Sequence, residues 1–261
     1  MAYDYYKYNP SLAAAITATA LFSLSTSVHI AQMMVARTWF FIPFVIGGTF
    51  EALGYTGRSI SSSETPDWTL APYLLQSLLI LLAPAFFTAS IYMAFSRIIR
   101  MTNGESLSLI RVNWLTKIFV TGDIISFLVQ AAGGGILANA DTSSERKNGE
   151  RVITIGLIVQ LVFFGIFILV ALNFHHRLGN HPNHTSKTVP WKSSLIVLYI
   201  ASMLIMVRSV FRVIEYVQGE DGALLRKEIW LYVFDAAQMF QMMLLFNWKH
   251  PGLLTKRWRP M

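Results

Sequence analysis

Residues 192–217 read KSSLIVLYIASMLIMVRSVFRVIEYV. The run is long enough for a helix crossing a hydrocarbon core of ~30 Å, which needs about 20 predominantly apolar residues. Its second half nevertheless holds Arg208, Arg212 and Glu215, spaced i, i+4 and i+7 and so carried on one helical face. A charged side chain at the centre of a membrane helix costs about 2.5–3.5 kcal/mol on insertion scales, and such residues normally face a bundle interior or a wet cavity. The stretch therefore predicts a membrane helix that turns its charges toward other helices.

The same pattern recurs along the chain. Segments 11–36, 39–60, 70–96, 115–138, 152–174 and 228–248 are also apolar and of spanning length, which predicts seven transmembrane helices in an all-α, polytopic membrane protein. Of the 261 residues, 54% are hydrophobic and only 13% charged, and mean hydropathy is +0.49. Soluble domains carry nearer 25% charged residues. Seven spans with their connections use the whole chain, so residues 1–261 are expected to form a single membrane domain.

Lysine and arginine set the orientation. With the N-terminus outside and the C-terminus cytoplasmic, the inner side holds Arg37, Arg97, Arg100, Arg111, Lys117, Arg177, Lys187, Lys192, Lys249, Lys256, Arg257 and Arg259 against the single acid Glu105. The outer side pairs Lys7, Arg58, Arg146, Lys147, Arg151, Arg226 and Lys227 with the acids Asp4, Glu64, Asp67, Asp141, Glu145, Glu150, Glu220, Asp221 and Glu228. The formal charge of +7 is thus a cytoplasmic surplus facing anionic lipid rather than a nucleic-acid footprint. The start, Met1-Ala2-Tyr3-Asp4-Tyr5-Tyr6-Lys7, lacks the basic region of a cleavable signal peptide, so the first helix is expected to remain as an anchor.

This orientation puts Glu51, Arg58, Arg208, Arg212, Glu215 and Asp235 in the middle-to-outer half of the membrane, three acids meeting three arginines. Glu51 and Arg58 are two turns apart on one face, and Asp235, Gln238 and Gln241 follow at i, i+3 and i+6. Asp123 lies toward the cytoplasmic side with no basic partner at its depth. Gln130 and Gln160 fall near mid-depth. Two roles fit: static ion pairs locking helices together, or a polar path for substrate or protons, with Asp123 the sharper functional candidate. Pro84, mid-helix, frees a backbone carbonyl and predicts a kink. Gly54, with Gly47 and Gly48, and the run Gly133-Gly134-Gly135 predict close helix packing or local unwinding.

Several chemistries are excluded or unsupported. No cysteine is present, which removes thiol catalysis, zinc–thiolate sites and disulfides. No phosphate-cradling glycine loop occurs, and helix seven carries no lysine for a retinal Schiff base. His175, His176, His181 and His184 read as a solvated inner loop. His29 is the one histidine within a span, so no metal site is predicted in the membrane. No cofactor and no catalytic residue is assigned. The sequon Asn183-His184-Thr185 falls on the cytoplasmic side, where it stays unmodified.

An ordered series of motifs resembles the fungal RTA-like, or lipid-translocating exporter, family. It comprises Glu51-Ala52-Leu53-Gly54-Tyr55-Thr56-Gly57-Arg58, then Leu82-Ala83-Pro84 with Ile91-Tyr92 and Arg97, then Asp123, Ser126, Gln130 and Gly133-Gly134-Gly135. Gly156 and Gln160 follow, then Arg208-x-x-Phe211-Arg212-x-x-Glu215 with Gly219, Gly222, Glu228, Tyr232 and Asp235, and finally His250-Pro251-Gly252. The resemblance implies a plasma-membrane protein of seven helices. It further implies a non-enzymatic role in export or translocation of sphingoid long-chain bases, phospholipids or sterol-like toxicants, giving resistance, with porphyrin movement in one branch. Membrane lipids or amphiphiles are the expected partners. The alternative is a receptor or membrane-stress sensor acting indirectly.

Overall fold

The computed structural model describes Tyr6 and residues 8–140, 142–219 and 227–250, and all regular structure in them is helical. In chain order the helices are α1 (Leu12–Ala36), α2 (Ile42–Ser63), α3 (Leu70–Met101), α4 (Val112–Ala138), α5 (Ser143–Asn180), the short α6 (His184–Thr188), α7 (Trp191–Gln218) and α8 (Glu228–Trp248). A π-helical turn at Tyr232–Ala236 interrupts α8. The expected loop and tail charges Asp4, Lys7, Asp141, Glu220, Asp221, Arg226, Lys256, Arg257 and Arg259 lie outside the described residues, as do Gly222, Pro251 and Gly252.

Among the described residues six helices, α1, α3, α4, α5, α7 and α8, are long and apolar enough to cross a membrane. The helix expected at 39–60 is present as α2, of 22 residues, or about 33 Å at 1.5 Å per residue. Glu51, Arg58, four glycines and a terminal run of serines dilute its hydropathy, which is why length alone qualifies it. α5 starts well before residue 152 because Thr142 and Glu145 form a reciprocal capping box over a polar first turn. Hydropathy marks the apolar stretch of a helix, whereas caps mark its ends.

The order of packing is a closed ring: α1 on α2, then α3, α4, α5, α7 and α8, which returns to α1. α3 also touches α7 across the middle. It is the central helix, with 61% of its apolar window buried against 28% for α4. Between lipid-solvated helices there is little hydrophobic gain from association, so close van der Waals packing must hold them together. Glycine provides it. A Cβ at Gly54 would stand 2.6 Å from Ile80 Cγ1, and one at Gly57 would stand 3.1 Å from Pro72 O, so α2 lies backbone-close to α3. Gly133, Gly149 and Gly156 do the same between α4 and α5.

One expectation is corrected in part here. Gly133 packs closely, but a Cβ at Gly134 or Gly135 would meet nothing within 4 Å among the described residues, and α4 continues through all three glycines without unwinding. α3 is helical on both sides of Pro84. Large apolar side chains such as Leu24, Leu128, Leu169 and Met203 point outward at 60% exposure or more, an arrangement suited to lipid. Trp39, Trp114 and Trp248 project from the end rich in Lys and Arg, where an aromatic belt is expected.

Candidate functional site: a buried charge seam and a separate aspartate

Arg58 closes the end of the bundle where α2 ends and α8 begins, and its side chain is fully buried. Its Nη2 donates to Glu228 Oε1 at 2.7 Å and to Tyr8 Oη at 2.9 Å. Nε donates to Tyr232 Oη at 3.2 Å, and Nη1 to Gln76 Oε1 at 3.3 Å. The rings of Tyr6, Tyr8 and Tyr232 stand 5.6–5.8 Å from the guanidinium carbon. Ser11 N donates to both Glu228 carboxylate oxygens, at 3.1 and 3.0 Å, so the segment before α1 is strapped over the arginine. Burial pushes the Tyr8 and Tyr6 phenols above their ordinary values, so both remain neutral hydroxyls at physiological pH. Of the three acids expected to meet the three arginines, none pairs with Arg58, whose carboxylate partner is Glu228. Glu51 sits seven residues, about 10 Å, further along α2, while Glu228 opens α8 beside Arg58.

The middle of the bundle holds the second part of the seam. Arg208 Nε donates to Asp235 Oδ1, and Arg208 Nη2 donates to Ile80 O at 2.8 Å. That carbonyl is available because Pro84, four residues on, has no N–H to offer it. The proline thus prepares an acceptor for an arginine from another helix. Arg212 Nη1 donates to Glu215 Oε2 at 2.6 Å, and Arg212 Nε lies 3.5 Å from Asp235 Oδ2. Asp235 is fully buried within the π-helical turn, a widening that often marks functional positions.

The pairing has an energetic necessity. Thirteen Leu, Ile, Val and Phe residues on α7 favour insertion by about 0.3–0.6 kcal/mol each, roughly 4–8 in total, while Arg208 and Arg212 oppose it by roughly 5–7. A helix this near balance crosses stably only if its arginines are met. Glu51 is the exception to the pairing. It is fully buried, within electrostatic reach of Asp235, Arg208 and Arg212, and neither carboxyl oxygen has a hydrogen-bond partner among the described residues. Tyr55 Oη, one turn nearer Arg58, is buried and unpartnered in the same way.

Asp123 forms a distinct site between α3 and α4. At 2% exposure, its Oδ2 lies 2.7 Å from Thr88 Oγ1 and accepts from Tyr92 Oη at 3.0 Å; Oδ1 has no partner among the described residues. Among the described residues no cation pairs with it. Thr88 Oγ1 is also 2.9 Å from Ala85 O, and a single hydroxyl proton cannot fully serve both acceptors. A proton carried by Asp123 would satisfy the whole chain. Phe119 and Phe167 pack on the Tyr92 ring and hold it. Further along the α4–α5 seam, Gln130 Nε2 donates to Gln160 Oε1 at 3.1 Å.

Some expected members do not join either site. Gln238 Nε2 turns back to Val233 O of its own helix at 3.4 Å. The π-helical turn inserts about one residue and rotates the later turns of α8 by about 100°, which breaks the i, i+3 relation to Asp235. His175 and His176 lie within α5, His175 stacked on Tyr199, and among the described residues no histidine–acid group is placed to hold a metal. Asn183 uses its amide as a structural clamp, donating to Thr102 O at 2.7 Å and accepting from Ser186 N at 2.7 Å. Sequence reasoning named Glu228 and Tyr232 in the family motif without giving them a place in the site, and it missed Tyr8, Gln76 and Thr88. Glu228, Tyr232 and Asp235 do form an i, i+4, i+7 stripe, which was the available signal.

Residues 44–257 match the family described as RTA1 like protein. In Saccharomyces cerevisiae, Protein RTM1 is 35% identical over 94% of this chain and 90% of its own length. Protoporphyrin uptake protein 1 of the same yeast is 40% identical over 83% of this chain and 70% of its own length. The yeast Sphingoid long-chain base transporter RSB1 is 26% identical over 95% of this chain and 73% of its own length. No solved structure matches. With a buried charge seam, six helices fit to cross a membrane and a family match over most of its length, the chain is a multi-pass membrane protein of the RTA1-like family.

Proposed function

We propose that the chain is a seven-helix transporter of lipids or amphiphiles, one membrane domain with its N-terminus outside and C-terminus cytoplasmic, acting at the plasma membrane. The charge asymmetry between the two ends supports the orientation, with α2 as the second span. The names of two relatives, Sphingoid long-chain base transporter RSB1 and Probable lipid transporter atnI, support the substrate class.

The observation that carries the reading is Glu51. A bare carboxylate buried without a donor costs several kcal/mol, so this position needs one, and a cationic headgroup or a proton supplies it. Arg208, Arg212, Glu215 and Asp235 fix the electrostatic surroundings of Glu51, and Arg58 with its tyrosines covers the outer end. Asp123, with Gln130 and Gln160 beside α5, provides a second stop for the headgroup toward the cytoplasmic side. The acyl chain lies along the lipid-facing helices throughout, so only the polar end needs a path.

Purified protein in liposomes loaded with labelled long-chain base tests this directly. Flux is expected in the native chain and a drop of at least about tenfold in Glu51→Gln, the loss of one charged contact. Native flux in Glu51→Gln and Asp123→Asn alike would overturn the reading. A membrane-stress sensor, which moves no lipid itself, would leave the label in place in every variant.

A further inference from the structure

The end of the bundle rich in Lys and Arg carries a pocket far from the charge seam. It is lined by Phe40, Arg97, Ile98, Leu198, Phe246 and Lys249, with Ser193 and Ser194 at its edge. Along α3, Gln76 and Ile98 are 22 residues, about 33 Å, apart, so this pocket and the Arg58 cluster occupy opposite ends. Its floor is apolar and buried: Ile98, Leu198 and Phe246 are each 5% exposed or less. Its rim is cationic. The Arg97 guanidinium sits 3.9 Å over the Phe40 ring, which holds it in place without neutralising it. Neither Arg97 nor Lys249 has a carboxylate partner among the described residues.

The first turn of α7 opens at the same edge. Its N-cap residue, Pro190, supplies no capping side chain, so the helix leaves backbone donors and positive dipole there. Two unpaired cations, a helix start and an apolar floor at the level of the exposed tryptophans Trp39 and Trp248 together describe a host for an anion carrying hydrocarbon. A free anion would use the rim and waste the floor, whereas a zwitterionic lipid brings no net negative charge to the two cations.

We propose that this pocket binds the headgroup of an anionic phospholipid, its phosphate held by Arg97 and Lys249 and its first acyl carbons resting on Phe40, Leu198 and Phe246. The site stands apart from the transport path and would hold whether or not Glu51 receives substrate. It gives the chain a means of sensing or anchoring to an anionic leaflet.

The test is thermal stability of the full chain in neutral detergent with added phosphatidylserine, phosphatidylcholine or inorganic phosphate. Phosphatidylserine is expected to raise the melting temperature, and the other two to leave it unchanged. The double variant Arg97→Gln, Lys249→Gln should weaken the phosphatidylserine response by about tenfold in concentration for each cation removed, Arg97→Lys should keep it, and Arg37→Gln, at the same end but outside the pocket, should keep it too. An equal response to inorganic phosphate or phosphatidylcholine, a retained response in the double variant, or an equal loss in Arg37→Gln would overturn the assignment. If the double variant does not fold, Leu198→Trp fills the floor with both cations in place; it should lose the response, and keeping it would count as refutation.

Discussion

The two polar regions of this bundle bury carboxylates by opposite means. In the seam between α2, α3, α7 and α8, Asp235, Glu215 and Glu228 are each met by an arginine, and two of those arginines have further acceptors, Arg208 in Ile80 O and Arg58 in Gln76 and Tyr8. Between α3 and α4, Asp123 is met only by the hydroxyls of Thr88 and Tyr92. Charge pairing fixes geometry at high cost to any single change, because removing one partner strands the other in a low dielectric. Hydroxyl solvation is cheaper to alter and compatible with a proton that comes and goes. Glu51 belongs to the first region by position and to the second by its lack of a fixed partner, which is why it stands out.

Breaking the seam should give the largest effect. Arg208→Met leaves Asp235 only its longer contact to Arg212 and returns Ile80 O to no donor, a cost of about 3–5 kcal/mol. Thermal unfolding in detergent should show a large fall in Tm, and the double variant Arg208→Met, Asp235→Leu should recover much of it. A double variant worse than the sum of the singles would show that the pair is not the unit of stability. The glycines that seat Asp123's helix come next. At Gly133 a Cβ would fall 2.7 Å from Ile153 N, so Gly133→Ala should cost about 1–3 kcal/mol by forcing α4 off α5. Gly134→Ala, adjacent but facing nothing, should be neutral or stabilising by up to about 1 kcal/mol through helix propensity. Equal effects at the two positions would mean that the α4–α5 contact is looser than its geometry. Tyr8→Phe, which removes one hydrogen bond to Arg58, should cost about 0.5–1.5 kcal/mol. No change would show that the cation–π contacts alone retain the strap.

The apolar stretches were legible because membrane-spanning length is a property of local composition. Six segments reappear as helices fit to cross a membrane, and the seventh reappears as a helix whose polar interior face hides it from a hydropathy test. The charged residues were also legible as interior, and Glu51, Asp123, Arg208, Arg212, Glu215 and Asp235 are all buried. Their partners were not. Helical periodicity within one helix says which residues share a face, but the register between helices depends on tilt and close approach, so the pairing of Arg58 with Glu228 could not be read from spacing. The same limit applies to Pro84: position i−4 identified the freed carbonyl, yet only the assembled bundle brings Arg208 to it. The π-helical turn at Tyr232–Ala236 leaves no periodic signature, and Gln238 was misplaced because of it.

The smallest structural effect should come from Asp123→Asn, and it sharpens the comparison most. Asparagine has the shape of the aspartate and, like the protonated acid, is a neutral group that offers both a donor and an acceptor to the Thr88 and Tyr92 hydroxyls. Shape is kept, no partner charge is stranded, and the cost should stay below about 1 kcal/mol. Tm should therefore move little while long-chain base flux falls, separating the group's chemistry from its packing. A destabilisation comparable with Arg208→Met would mean that Asp123 also answers to a charge, and the distinction between the two regions would collapse. Unchanged flux with unchanged Tm would instead assign the headgroup path to the seam alone, with Glu51 as its single acceptor.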